Sequence, residues 1–177
     1  MEQKIIISHR GNLDGPNPTR ENKIDYVLES LEVCLFTEID IWKFGEYIFM
    51  SHDRPQSTSE YQPGVEPFLY ENRDRLVIHC KNILALQMMA GLRNSHIYNF
   101  FWHENDAYTI TNKGWIWAYP DKQIISTRVS QAQPFTVAVL PELNDTNTDN
   151  FFAICTDSVK TYMNRNTKSL NDKISTI

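Results

Sequence analysis

Short apolar runs of strand length, each followed at once by polar residues, constrain this chain more than any other feature. Ile5-Ile6-Ile7 is the first, and Leu76-Val77-Ile78, residues 136–140 and residues 151–155 repeat the pattern. Apolar runs without alternation belong to strands buried on both faces, as in parallel sheets covered on each side. After the first run, Ile24, Val27, Leu28, Leu31 and Leu35 are spaced helically, which predicts a helix near 20–34 with Thr19 as its cap. Residues 36–42 then alternate as a strand, Gly45 turns the chain, and 47–51 form the return arm of a hairpin.

Residues 12–19 and 54–67 are loops by their proline, glycine and polar content. A third core strand is predicted at 76–81 and a helix at 82–93. Further strands are expected near 97–102, 108–111, 114–119, 136–140 and 151–155, then a last helix at 158–165 and a polar tail from 166. Strands and helices alternate early, and helices thin out later. The pattern predicts one α/β domain over 1–177, a parallel barrel with some of its outer helices missing.

Composition narrows the function. The chain has 177 residues, 41% hydrophobic, with a net charge of −5 and no dense basic cluster, so the footprint of a nucleic-acid binder is absent. The three cysteines, Cys34, Cys80 and Cys155, lie in or beside apolar runs and read as buried thiols of a reducing compartment. No apolar run approaches the ~20 residues of a membrane helix. The opening Met-Glu-Gln-Lys and three isoleucines are too brief for a signal peptide, so a cytoplasmic protein is expected.

The residues that carry chemistry follow the early strands. His9-Arg10-Gly11 closes the first, Glu21-Asn22 precedes the helix, Glu38-Ile39-Asp40 lies in the second strand, and His52-Asp53 ends the hairpin. Residues two apart in a strand share a face, so Glu38 points with Asp40, and His79 with Lys81. Converging carboxylates call for a proton or a cation, and Mg²⁺ or Ca²⁺ suits oxygen ligands. Two histidines are suited to general acid and base work near neutrality. Arg10 and Lys81 supply cations for a phosphate, and Gly11 would let backbone approach a substrate. His103 and Glu104, after the strand at 97–102, are rim candidates for a head group, and Trp115, Trp117 and Tyr119 share one face.

Together, His9-Arg10-Gly11, Glu21-Asn22, Glu38-Ile39-Asp40, His52-Asp53 and Lys81 resemble the glycerophosphodiester phosphodiesterase family. Residues 153–157, closing in Thr156-Asp157, are similar to its last strand. The resemblance implies a reduced TIM-type (β/α) barrel with its site at the C-terminal strand ends. It implies metal-assisted hydrolysis of a small phosphodiester, plausible alternatives being intramolecular transfer to a cyclic phosphate or an inactive phosphate-binding relative. The implied roles are His9 and His52 as base and acid, Arg10 and Lys81 on the phosphate, and Glu38 and Asp40 on a divalent metal. His79 replaces the family's usual glutamate two residues before the lysine, which favours borderline ions over Ca²⁺. Glu21 is a candidate for the missing carboxylate. A chain short for such a barrel would bare strand surface, to be covered by a second copy in a homo-oligomer or by Trp102, Trp115 and Trp117.

Overall fold

The computed structural model describes residues 4–119 and 135–164. The elements in chain order are β1 (Ile5–His9), α1 (Ile24–Val33), β2 (Phe36–Phe44), β3 (Tyr47–Met50), α2 (Val65–Glu71), β4 (Leu76–Cys80), α3 (Ile83–Gly91) and β5 (Asn99–Phe101). β6 (Tyr108–Ile110), β7 (Ile116–Ala118), β8 (Thr136–Val139) and β9 (Ala153–Thr156) follow, and residues 159–164 are helical. The strands run β5-β4-β2-β1-β9-β8-β7-β6 in one curled sheet, with β3 hanging on β2 as a hairpin. This is a nearly closed barrel, the reduced TIM-type architecture.

Strand pairing is parallel throughout the path except where β6 meets β7 in antiparallel register. Along the path the parallel arrangement thus holds at every strand but β6. The turn 111–114 is too short for a crossover, so β6 has to run against its neighbour. That arm leaves a gap beside β5, which polar atoms bridge. Phe100 N donates to Asn112 Oδ1 at 2.8 Å, Asn112 N donates to Phe100 O at 2.9 Å, and Thr109 Oγ1 donates to Trp102 O at 2.9 Å. Asn112 thus presents its side-chain carbonyl and its own N–H to one residue of β5, as a partner strand would. Replacing Asn112 by alanine should cost about 1–3 kcal/mol, because a buried donor loses its acceptor. Chemical unfolding would measure it, and an unchanged midpoint would show that the seam closes without this residue.

Alternation sorts the strand residues into two cores. One face of β2 and β4, with Ile39, Ile41, Ile78 and Cys80, packs beneath Val27 and Leu31 of α1, Phe68 and Leu69 of α2, and Met89 of α3. The opposite face fills the barrel with Ile7, Val77, Phe101, Trp117, Val137, Ala153 and Cys155. Trp117 is 1% exposed within that interior and Trp115 packs against it, so neither covers the outer strand surface as the sequence suggested; only Trp102 packs on the helix side. An indole large enough to fill a barrel lacking well-layered neighbours is drawn inward. All three cysteines are free and buried.

One helix is unexpected and one boundary moves. α2 has no counterpart in the sequence reading and begins inside the loop predicted at 54–67: Gly64 supplies the left-handed entry (φ +90°), and Pro67 falls in the first turn, where its missing N–H costs nothing. α1 begins at Ile24 with Lys23 at its N-cap, not with Thr19, whose hydroxyl donates to Asn17. Residues 20–23 are withheld from the helix for reasons that the site explains. Among the described residues no helix is long and apolar enough to cross a membrane. The tail from 166 lies outside the described residues.

Candidate active site

The interior rows turn polar at the C-terminal ends of the strands. Two residues beyond Ile7 comes His9, beyond Val77 comes His79, and beyond Phe101 comes His103. Trp117 is followed by Tyr119 and Cys155 by Asp157, each in the same period of two. β2 adds Glu38 and Asp40. One rule of strand geometry therefore gathers, at one end of the barrel, side chains scattered from residue 9 to residue 157.

His9 is 6% exposed and held from both sides. Its Nδ1 lies 2.7 Å from Asp157 Oδ1, and its Nε2 faces Glu38 Oε2 at 3.8 Å. Burial opposes a charge on this ring, but the Asp157 hydrogen bond and the Glu38 charge outweigh it and raise the His9 pKa. The Asp157 carboxyl, despite partial burial, is held below the usual range by the same bond. Asn12 Nδ2 braces it at 2.8 Å and reaches Glu21 Oε1 at 2.9 Å.

Asp40 is fully buried and caged by two cations and an imidazole. Arg10 Nε stands 2.8 Å from Oδ2, His79 Nδ1 3.0 Å from Oδ1, and Lys81 Nζ 3.6 Å from Oδ1. Asn22 Nδ2 donates to Oδ2 at 3.1 Å while Asn22 Oδ1 accepts from the Asp40 N–H at 2.9 Å. Desolvation alone would raise the Asp40 pKa; the His79 bond and the Arg10 charge reverse it and hold the carboxyl well below its usual range. Glu38 has no such cage. Burial, followed by the Asp40 charge, pushes its pKa up to about 7.

Backbone strain marks the same place. Arg10 (φ +55°) and Asn22 (φ +60°) are left-handed without being glycine, and Asn22 N donates to Arg10 O at 3.1 Å. Residues 20–23 turn so that Asn22 can reach Asp40 and Glu21 can reach Arg10 Nη1 at 3.2 Å, which is why α1 starts late. Gly11 (φ +93°) lets α1 pack closely: a Cβ there would meet Tyr26 Cδ1 of α1 at 2.8 Å.

Glu38, Asp40 and His79 offer ligand atoms within 4.8 Å of one another. Glu38 Oε2 and His79 Nε2 are buried with no hydrogen-bond partner among the described residues, while Asp40 Oδ1 is met by His79 Nδ1 and Lys81 Nζ. Around them the carboxylates of Glu21, Glu38, Asp40 and Asp157 outnumber Arg10, Lys81 and a protonated His9 by one. Orphaned acceptors and that charge deficit both fit a divalent cation. Glu21 stands outside the trio, its oxygens taken by Arg10 and Asn12.

The other predicted residues divide. Lys81 joins through Asp40, whereas His52 stands at the rim with its side chain 47% exposed and Nδ1 2.9 Å from Asp53 Oδ1. Burial, then the Arg10 charge, lowers the His52 pKa. Asp157, Asn12 and Asn22 were given no site role from the sequence. His103 stacks on His79 at 4.6 Å and on Tyr119 at 4.0 Å between centroids; burial, then the charges of His79 and Lys81, brings its pKa down to about 4.

No family model matches this chain, and no curated protein matches it. Its fold is similar to the crystal structure of a protein from Galdieria sulphuraria that is provisionally described as a glycerophosphodiester phosphodiesterase. The TM-score is 0.55 at 12% identity, over 93% of this chain and 98% of that one.

Proposed function

We propose that the chain is a phosphoric diester hydrolase of the glycerophosphodiester phosphodiesterase type, cleaving a small phosphodiester with a divalent metal. One observation carries the reading: His9, clamped by Asp157, turns its other nitrogen toward the buried trio of Glu38, Asp40 and His79. The fold similar to the Galdieria protein supports it.

Glu38, Asp40 and His79 would hold the metal. The two carboxylates suit Mg²⁺, Ca²⁺ or Mn²⁺, and the imidazole shifts the preference toward a borderline ion such as Zn²⁺. When bound, such an ion polarises a phosphoryl oxygen as a Lewis acid. The residues do the rest. Arg10 and Lys81, both on Asp40, present positive charge to the phosphate. Asp157 stabilises the imidazolium of His9 and directs its Nε2 inward, so His9 hands a proton to the departing alcohol oxygen. His52, kept neutral at the rim, takes a proton from the attacking water, so the two imidazoles exchange the base and acid roles that the resemblance implied.

The test is phosphorus NMR on a glycerophosphodiester with Mg²⁺, Ca²⁺, Mn²⁺ or Zn²⁺ supplied in turn. A phosphomonoester is the expected product, and chelation stops its formation. A cyclic phosphate would assign the attack to the substrate's own hydroxyl. Failure with every ion and every diester would end the hydrolase reading.

A further inference from the structure

β2 outruns the barrel. By the period of two, Trp42 and Phe44 stand on the same face as Glu38 and Asp40, above the carboxylates. The hairpin register pairs Trp42 with Phe49 and Phe44 with Tyr47, so all four rings belong to one face of β2 and β3. Ile41, Ile48 and Met50 lie on the other face, in the core under the helices. Trp42 stacks on Phe44 at 5.8 Å and 14°, and Tyr61 closes on Tyr47 and Phe49 at 5.2 and 6.1 Å.

The segment after His52 folds back over this face. Between them is a solvent-open cavity of about 280 Å³, with Phe44, Tyr47 and Phe49 on one side and Arg54, Pro55 and Thr58 on the other. The Arg54 guanidinium lies 5.3 Å from the Phe44 ring centroid, and Tyr47 is 44% exposed. Phe44 is four residues from Asp40, a climb of roughly 13 Å along the strand. The row of β2 that carries the carboxylates thus continues through Trp42, stacked on Phe44, to this open cavity.

We propose that this cavity takes an apolar substituent on the alcohol of the substrate, so that the preferred phosphodiester carries an alkyl chain or aryl ring. The inference rests on the phosphodiesterase reading and names its substrate class. The phosphate sits at Arg10 and Lys81, and the substituent runs along Trp42 to lie between Phe49 and Arg54. Apolar area removed from water supplies the affinity.

Calorimetry with octyl, benzyl and methyl phosphate tests this without turnover, and 4-nitrophenyl diesters of the same alcohols test it with turnover. Octyl or benzyl phosphate should bind at least about tenfold tighter than methyl phosphate. A gain for octyl alone assigns a chain, and a gain for benzyl alone assigns a ring. Thr58→Trp, which fills the cavity, and Phe44→Ala should each bring the ratio to methyl phosphate near one; the ratio cancels any general loss from misfolding. Equal binding of all three, or an advantage that survives both substitutions, overturns the pocket. Hydrolysis of the methyl diester without an octyl or benzyl advantage would leave the hydrolase standing and remove the pocket. Tight octyl or benzyl binding without cleavage of any diester would do the reverse.

Discussion

Asp157→Asn should lower turnover by about 10²–10⁴ while the chain remains folded. The reason is specific to the carboxylate on His9 Nδ1. His9 has a raised pKa, so the acid form is present at neutrality and is lost as pH rises through that value. His52 has a lowered pKa, so its neutral form is lost as pH falls through that lower value. The rate should therefore peak between the two. The amide of the Asp157→Asn variant would keep the shape of the acceptor but remove its charge, shifting the alkaline limb to lower pH and leaving the acid limb in place. Steady-state kcat/KM against pH reads this directly. An alkaline limb that stays put in Asp157→Asn but disappears in His52→Ala would exchange the two roles.

What the sequence could disclose depended on the range of each rule. The period of two needs only neighbours, so the shared face of Glu38 and Asp40 and the outward turn of Cys80 were readable, and both hold in the barrel. Asp157 was visible only as the close of a strand. Its meaning comes from parallel pairing of β1 with β9, which brings Ser8 beside Thr156 across a separation no local pattern encodes. Asn22 was hidden differently. Its left-handed backbone and its two hydrogen bonds to Asp40 take it out of a helix that apolar spacing alone would have started earlier. Local preference yielded there to the needs of a buried charge. The direction of β6 is carried by the tight turn at 111–114 and not by its own three residues.

The two acids of β2 should respond to neutralisation with opposite signs. Asp40→Asn removes the carboxylate of the Lys81 ion pair and leaves Arg10 with Glu21 alone as its ion-pair partner, and should destabilise the fold by about 3–5 kcal/mol. Glu38→Gln should stabilise the metal-free fold at pH 8 by on the order of 1–3 kcal/mol, while abolishing metal-dependent turnover. The sign follows from the proton. Asp40 has a depressed folded pKa, so its stabilisation is present above its unfolded value near 3.8 and is lost as pH falls. Glu38 goes the other way: raised from 4.5 to about 7, it costs nothing below its unfolded value, and the cost grows as pH climbs through that window. A divalent ion removes the cost by replacing the proton, so Mn²⁺ should raise the unfolding midpoint of the wild-type chain near pH 8, progressively less toward pH 5, and scarcely at all in Glu38→Gln. Denaturant melts of the three proteins with and without Mn²⁺ separate these contributions. If Glu38→Gln unfolds no later than the wild type without metal, Glu38 is not a carboxylate kept in place against its own burial for the sake of a cation, and the trio loses its claim to be a metal centre.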